Sequence, residues 1–186
     1  MESVLISGCG DIGVRVGMHY LKQNYQVHGL CKRPERADAL AAWGISPVLC
    51  NLDEPASLSD LPTRERILFH FAPPPRTDER DTRIRNLLQS IAKDELPKKL
   101  ILISTTAVYG NCAGRWIDES EPVNPQSARG MRRLDSEHVV QQWGKDTGVP
   151  VAILRVAGIY GPGRLPIERI KQAQPMLRED LAPYSN

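Results

Sequence analysis

The 186-residue sequence predicts an α/β fold, a doubly wound parallel sheet with helices on both faces. Two observations lead to this prediction: short apolar runs alternate with longer amphipathic stretches, and a glycine-rich turn directly follows the first apolar run. The composition is that of a globular protein, with 41% hydrophobic and 25% charged residues. It therefore excludes disordered and low-complexity proteins.

Six apolar runs predict the strands, because a strand that is buried on both faces shows little polar interruption. In chain order these runs are Val4–Ile6, Val27–Leu30, Ile45–Leu49, Ile67–Phe71, Leu100–Ile103 and Val151–Val156. Four stretches between them predict helices, from the helical spacing of apolar residues and from proline or glycine near their ends. In chain order they are Ile12–Gln23, Pro34–Trp43, Arg80–Lys93 and Ala128–Asp146. Residues 111–126, with one glycine and two prolines, predict a loop that crosses the top of the sheet.

Charge and residue pattern exclude several classes of protein. Lys and Arg number 24 against 22 Asp and Glu, and the net charge of +2 argues against binding to nucleic acid or to an anionic membrane. No apolar run approaches the roughly 20 residues of a membrane span, and the N-terminus lacks the features of a signal peptide. The cysteines and histidines form no metal-ligand pattern, so we expect reduced thiols, no metal site and a cytoplasmic protein.

The segment Gly-Cys-Gly-Asp-Ile-Gly at residues 8–13 spells GxGxxG between a strand and a helix, the context in which this pattern predicts a Rossmann-type dinucleotide site. Gly8 permits the tight turn, Gly10 lets a pyrophosphate approach the backbone, and Gly13 lets the helix pack closely on the sheet. The helix N-terminus adds N–H groups and partial positive charge. The predicted cofactor-binding residues of this segment are Gly8, Gly10, Asp11, Ile12 and Gly13. The alternative is a glycine-rich turn without a ligand.

The end of the second strand indicates which dinucleotide is bound. An acid there usually holds the ribose of NAD, whereas arginine accommodates the 2′-phosphate of NADP. The sequence has Lys32 and Arg33 at this point and no acid between Gln26 and Pro34. We therefore predict NADP(H) as cofactor, with NAD as the other possibility. The alternative for this basic pair is a solvated surface loop.

Four further segments resemble one family together. They are Ser-Thr-Thr-Ala-Val-Tyr-Gly at 104–110, Asn-Pro-Gln-Ser-Ala-Arg-Gly at 124–130, Arg-Val-Ala-Gly-Ile-Tyr-Gly-Pro-Gly-Arg at 155–164 and Asn-Leu-Asp at 51–53. In this order and spacing they resemble the extended short-chain dehydrogenase/reductases, in particular the NAD-dependent epimerase/dehydratase branch. The resemblance implies an NAD(P)-binding Rossmann domain over residues 1–160. It also implies that residues 161–186 begin a C-terminal substrate region that is truncated here.

The same resemblance assigns roles to residues outside the glycine loop. Asn51 and Leu52 would contact the adenine, and Ala72 and Pro73 would lie along the ribose and phosphates. Thr105 would hydrogen-bond the substrate, although a threonine hydroxyl at this point could instead cap its own strand end. The implied function is that of an NADP(H)-dependent oxidoreductase or a nucleotide-sugar epimerase-like enzyme, and the alternative is a non-catalytic NADP(H)-binding sensor or interaction module.

The sequence departs from the family at the Tyr-x-x-x-Lys pair, whose positions hold Arg129 and Arg133. The i, i+4 spacing keeps both side chains on one helix face, but arginine stays protonated and cannot replace a tyrosine acid or base. Arg133 could still hydrogen-bond ribose hydroxyls. Two guanidiniums facing one pocket would favour an anionic substrate, with a carboxylate or phosphate group. We keep Thr105, Arg129 and Arg133 as the candidate catalytic residues.

Three alternatives accompany this hypothesis. Arg129, Arg132 and Arg133 could form a solvated first turn that pairs with Asp135 or Glu137. Tyr109 is the nearest other candidate for a proton donor. A homodimer could cover apolar surface left exposed by the short C-terminal region.

Overall fold

The computed structural model describes residues 2–161 together with residues 167, 171 and 172. Its strands form a parallel sheet in the order β3-β2-β1-β4-β5-β6. The strands are β1 (Ser3–Ser7), β2 (Gln26–Cys31), β3 (Ser46–Leu49), β4 (Ile67–His70), β5 (Lys99–Thr105) and β6 (Val151–Val156). The order runs outward in both directions from the central pair β1 and β4, so the crossovers that join β1, β2 and β3 lie on one face of the sheet and those that join β4, β5 and β6 lie on the other.

Within residues 2–161, four helices cover the two faces of the sheet. They are α1 (Asp11–Leu21), α2 (Pro34–Ala42), α3 (Thr82–Ser90) and α4 (Ala128–Thr147), with 3₁₀ turns at Pro55–Leu58 and Thr106–Tyr109. Val4 and Ile6 of β1 join a buried cluster with side chains of α1 and α2. Leu5, which points to the other face, joins a second buried cluster with side chains of α3 and α4. The predicted fold class, a doubly wound sheet with helices on both faces, is confirmed.

Helix α3 is shorter than the predicted Arg80–Lys93, and its ends show why. The Asp81 side chain accepts hydrogen bonds from the backbone N–H groups of Arg83 (3.1 Å) and Ile84 (3.2 Å), which makes Asp81 the N-cap. Ile91 has an extended ψ of 111° and ends the helix. Residues 111–126 contain no helix or strand, as predicted for the loop.

The sequence also predicts that the chain has no membrane-spanning segment and no metal site. No helix in the described part of the chain is long and apolar enough to cross a membrane. Within the same residues, no group of three His, Cys, Asp or Glu side chains is placed to hold a metal ion. Residues 161–186, predicted to begin the substrate region, lie almost wholly outside the described residues.

Candidate functional site

The candidate site lies at the carboxyl edge of the sheet, where β1 and β4 are neighbours and their following chains leave towards opposite faces. In open α/β sheets this divergence forms a crevice in which ligands bind. The segment that follows β1 is the glycine loop, residues 8–13, and it leads directly into α1. The loop therefore occupies the crevice that the topology creates.

The three glycines of this loop are needed for different reasons. Gly8 has a φ of +88°, and a Cβ added to it would lie 2.2 Å from the backbone nitrogen of Ala72, in the chain that follows β4. A Cβ on Gly13 would lie 2.9 Å from the Gly8 carbonyl oxygen and 3.1 Å from a methyl group of Ile6, so Gly13 lets α1 pack against β1. At Gly10 a Cβ would meet no atom within 4 Å. The open backbone at Gly10, beside the start of α1, is a surface that a diphosphate fits.

An inner cleft of about 410 Å³ opens beside the loop. It is bounded by the glycine loop, the ends of β5 and β6, and the start of α4. Five predicted cofactor residues and the three candidate catalytic residues line it together: Gly8, Gly10, Asp11, Ile12, Gly13, Thr105, Arg129 and Arg133. The Thr105 hydroxyl also accepts a hydrogen bond of 3.2 Å from the Ala107 backbone N–H. Thr105 thus caps the following 3₁₀ turn and still faces the cleft.

An outer cleft of about 1200 Å³ lies between the segments that follow β3 and β4 and the starts of α3 and α4. Asp53, Pro73, Arg129 and Arg133 are among its lining residues. Ala72 is buried behind Pro73, against Gly8. The two clefts meet at the arginines of α4, which line both.

The two residues predicted to contact adenine are engaged in local contacts. The Asn51 side chain accepts from the Asp53 backbone N–H (3.1 Å) and donates to Glu54 (2.6 Å). The Leu52 carbonyl accepts from the Asn86 side chain at 2.9 Å. Asn51 and Leu52 are not among the residues that line either cleft. Their contact with adenine stays a prediction.

The basic residues at the end of β2 are arranged differently from one another. Lys32 and Arg33 are exposed, and the Lys32 Nζ lies 4.0 Å from a carboxylate oxygen of Asp53. Arg36, which sequence reasoning missed, donates two hydrogen bonds to the Cys9 carbonyl oxygen, of 2.7 and 3.2 Å, and its guanidinium lies over the Trp43 ring. Arg36 follows Arg33 by three residues, about one helical turn, but this spacing alone does not show that Arg36 contacts the glycine loop.

Arg133 is buried with 8% of its surface exposed, whereas Arg129 is exposed. The Arg133 Nη1 donates to the carbonyl oxygens of Ile103 (3.1 Å) and Ala72 (3.4 Å), which fixes it between the ends of β4 and β5. Burial lowers the pKa of Arg133, and the charge of Arg129 lowers it further, while Asp81 acts in the opposite direction. The side chain that replaces the family's lysine is therefore held at the junction of the two clefts.

The alternative in which these arginines pair with Asp135 or Glu137 is wrong. Asp135 forms a two-bond ion pair with Arg85 of α3, with N–O distances of 2.5 and 2.9 Å. Glu137 forms one with Arg155 of β6, the shortest distance being 2.8 Å. The packing of α4 against α3 and β6 brings these partners together, and sequence spacing does not show it.

Tyr109 belongs to the same buried network as Glu137. Its hydroxyl accepts a hydrogen bond of 3.0 Å from Arg155, whose guanidinium also lies over the Tyr109 ring. Ser104 donates to Glu137 at 2.5 Å. Tyr109 is 8% exposed and is not among the lining residues of either cleft, so this geometry disfavours it as a proton donor.

His70, at the end of β4, is fully buried beside the site. Its Nδ1 lies 3.0 Å from the Ser7 hydroxyl, and its Nε2 has no hydrogen-bond partner among the described atoms. Burial, followed by the charges of Arg133 and Arg83, lowers the pKa of His70 to about 3. The imidazole is consequently neutral at physiological pH.

Comparison with known proteins finds relatives that match most of this chain. Protein YeeZ of Escherichia coli K12 is 29% identical over 176 residues, which cover 89% of this chain and 62% of the relative. A functionally unknown conserved protein from Silicibacter pomeroyi is 32% identical, with a TM-score of 0.72 over 91% of this chain and 57% of that chain. This chain thus spans about three-fifths of the length of such relatives.

More distant structures share the fold. UDP-glucuronic acid 4-epimerase from Bacillus cereus, solved in complex with NAD, has a TM-score of 0.72 at 23% identity, over 93% of this chain and 63% of that chain. The model of the NAD dependent epimerase/dehydratase family matches residues 4–178, which is nearly the whole sequence. With the glycine loop and sheet order already described, this match shows that the chain belongs to the NAD-dependent epimerase/dehydratase family.

Proposed function

We propose that this chain binds a nicotinamide dinucleotide in the crevice between β1 and β4, with the pyrophosphate on the glycine loop. One observation carries the proposal: Gly8 is held against Ala72, while Gly10 leaves the backbone open beside the N-terminus of α1. Amides and a helix dipole directed at one open position favour an anionic diphosphate. The bound nicotinamide would supply hydride exchange, and Thr105, Arg129 and Arg133 would surround its end of the inner cleft.

The preferred cofactor in this proposal is NADP(H). Lys32, Arg33 and Arg36 cluster after β2, where the 2′-position of the adenosine ribose is read in this fold. Arg36 is already held at the glycine loop through the Cys9 carbonyl. Asp53, which lies 4.0 Å from Lys32, is paired by two hydrogen bonds with Arg83, of 2.6 and 2.9 Å, so its charge is largely offset. A phosphate monoester would meet net positive charge here.

Catalysis by the family's tyrosine route is not part of the proposal. The two residues that would exchange and assist the proton are arginines, and a guanidinium keeps its proton at neutral pH. We therefore favour a protein that binds NADP(H) without that proton transfer, as a sensor or interaction module. The second candidate is an oxidoreductase or epimerase acting on a sugar nucleotide with another proton donor, and the position of Thr105 in the inner cleft supports it.

Calorimetric titration with NADPH and NADH tests the cofactor proposal. We expect NADPH to bind at least about tenfold more tightly, because each lost charged contact costs roughly 1.5–3 kcal/mol. Arg36→Met should remove most of that preference, while the matched surface variant Arg64→Met should retain it. Equal or tighter binding of NADH by the unaltered chain would contradict the NADP(H) preference.

A turnover assay separates the two candidate functions. The chain is incubated with oxidised or reduced cofactor and with UDP-glucuronic acid or UDP-glucose, and the reduced nicotinamide is followed by absorbance. We expect tight binding without a change in absorbance and without epimerised product. Sustained turnover would support the oxidoreductase or epimerase. If the turnover persists in Tyr109→Phe, its proton donor is a residue other than Tyr109.

A further inference from the structure

The outer cleft carries an excess of positive charge. Four arginines line it without an ion pair to any described carboxylate within 4.0 Å: Arg76, Arg129, Arg132 and Arg133. A fifth, Arg83, is neutralised by Asp53 at 2.6 Å. Asp78 is the remaining acid of the lining, and it meets Arg132 through its backbone carbonyl (3.4 Å). Four guanidiniums therefore share the cleft with one unpaired carboxylate.

The buried member of this group has only neutral partners. Arg133 is more than nine-tenths buried, and its hydrogen bonds to described residues are made by Nη1 alone, to two backbone carbonyls. Its other N–H groups are left to the cleft. A charge removed from water is costly unless an opposite charge or several hydrogen bonds compensate it. The nearby Asp81 carboxylate is itself committed to capping α3 and to the Ser136 hydroxyl, at 2.6 Å.

The spacing of the arginines suits a single oxyanion. Residues 129, 132 and 133 are related by three and four positions on α4, so their side chains emerge on one face. Arg129 stands in the first turn of α4, where the helix dipole makes a cation unfavourable and an anion favourable. A guanidinium can donate two parallel hydrogen bonds to two oxygens of one carboxylate or phosphate group.

We propose that this arginine face of α4 binds the carboxylate or phosphate group of a second small ligand, beside the nicotinamide end of the bound dinucleotide. The inference rests on the proposed function for that neighbour, because Arg129 and Arg133 line both clefts. Arg129 and Arg133, at the positions of the family's tyrosine and lysine, would then have a binding role: they select an anionic substrate or effector.

Calorimetry with inorganic phosphate and with malonate, each added to the NADPH-saturated chain at low ionic strength, tests the inference. We expect one of the two anions to bind saturably. Binding of phosphate alone identifies a phosphorylated ligand, and binding of malonate alone identifies a carboxylated one. Arg129→Gln, at an exposed position that should not disturb folding, should weaken binding about tenfold, as expected for loss of one charged contact.

Arg133→Lys keeps the positive charge but removes the pair of parallel N–H donors, and it should weaken binding of the same anion. The surface control Arg64→Gln should leave anion affinity within about twofold, since exposed charges contribute little at a distance. No saturable anion binding, or an Arg129→Gln variant that binds as the unaltered chain does, overturns the inference.

The same titrations separate this inference from the proposed function. If phosphate binds the unliganded chain and NADPH expels it, the arginines serve the phosphates of the cofactor, and the inference is overturned. If NADPH fails to bind, the proposed function fails. In that case Arg129-dependent binding of phosphate or malonate to the unliganded chain still supports the anion site, and its absence overturns it.

Discussion

Two glycines of the loop after β1 are needed for different reasons. Gly8 is needed for its backbone angle and for close packing, and Gly10 is needed to leave the backbone open to a ligand. Gly8→Ala places a methyl group 2.2 Å from the Ala72 nitrogen at a φ of +88°. We expect it to lower the free energy of unfolding by roughly 3 kcal/mol or more, because backbone must shift as well as adopt a strained angle. Gly148→Ala, with a φ of +77° and no neighbour within 4 Å, is the control for the angle alone, at about 1 kcal/mol. Urea unfolding measures both.

Gly10→Ala should destabilise the fold less and weaken ligand binding. Its Cβ direction is open, but its φ of −81° is combined with a ψ of −148°, outside the usual extended region, so we expect the unfolding free energy to fall by about 1 to 2 kcal/mol, less than for Gly8→Ala. NADPH affinity should fall at least about tenfold, because the methyl group would stand where a phosphate approaches the backbone. An unfolded Gly10→Ala variant, or one that binds NADPH normally, would show that this glycine has another role.

The buried histidine makes stability depend on pH. The pKa of His70 is lowered from 6.5 to about 3 by burial and by Arg133 and Arg83, so the unfolded chain takes up a proton that the folded chain excludes. Its contribution to stability is complete above pH 6.5 and is lost as the pH falls towards 3. Between pH 7 and pH 5 we expect a loss of about 2 kcal/mol from this group.

His70→Asn, which retains an acceptor for the Ser7 hydroxyl, isolates this effect. Urea unfolding of both chains at pH 7 and pH 5 should show a smaller loss in the variant. His28, whose pKa is also lowered by burial, remains in both chains and cancels in the comparison. Equal pH dependence of the two chains would mean that His70 titrates normally in the folded state.

At the scale of single residues, the sequence predicts what depends on local pattern. The roles of Gly8, Gly10 and Gly13 in the turn follow from their spacing within six residues and the flanking strand and helix. Arg36 could not be assigned in this way, because its partner is the carbonyl of Cys9, 27 positions earlier. The partner of Glu137 likewise depends on where β6 lies.

Among the elements, α4, β5, β6 and the 3₁₀ turn after β5 are joined by one buried ion pair. Glu137 is 1% exposed, receives three hydrogen bonds from Arg155 and one from Ser104, and Arg155 in turn holds Tyr109. We expect Glu137→Gln to lower the unfolding free energy by about 2 to 3 kcal/mol, because it leaves the guanidinium without its counter-charge.

The exposed pair Arg64–Glu95, at 4.0 Å, provides the control for this prediction. Glu95→Gln should change the unfolding free energy by no more than about 0.5 kcal/mol. In a double-mutant cycle of Glu137→Gln with Arg155→Met, the double variant should lose less unfolding free energy than the sum of the two single losses. If Glu137→Gln and Arg155→Met each unfold as the unaltered chain does, this network does not stabilise the fold.

Element boundaries show where sequence patterns stop being informative. The strands were predicted to within a few residues, since buried strands of a parallel sheet form visible apolar runs. Helix α3 was predicted to include Arg80 and residues 91–93 because most of these residues have helical propensity. The Asp81 cap decides where the helix begins, and the extended backbone of Ile91 ends it. The packing of α3 on α4, through Arg85 and Asp135, is a tertiary contact that no periodicity reveals.

For the molecule as a whole, the described side chains of both buried clusters lie within residues 4–153. The cluster under α1 and α2 and the cluster under α3 and α4 share the central strands and include no described side chain beyond β6. The glycine loop, Thr105 and the arginines of α4 all lie before residue 134. We therefore propose that residues 1–160 form the dinucleotide-binding domain and that residues 161–186 begin the region that contacts substrate.

A chain shortened to residues 1–161 tests this division against the full sequence. We expect it to unfold in one cooperative transition and to bind NADPH with unchanged affinity, because every contact proposed for the dinucleotide is retained. NADPH at a hundred times its Kd should add about 2.7 kcal/mol to the unfolding free energy of either chain, which thermal melting detects. At the same NADPH concentration the Gly10→Ala version of the shortened chain should gain no more than about 1.4 kcal/mol, because NADPH is then at no more than about ten times the Kd of a site at least tenfold weaker. If the shortened chain fails to unfold cooperatively, residues 162–186 belong to the folding unit; if it folds but loses NADPH binding, they complete the dinucleotide site.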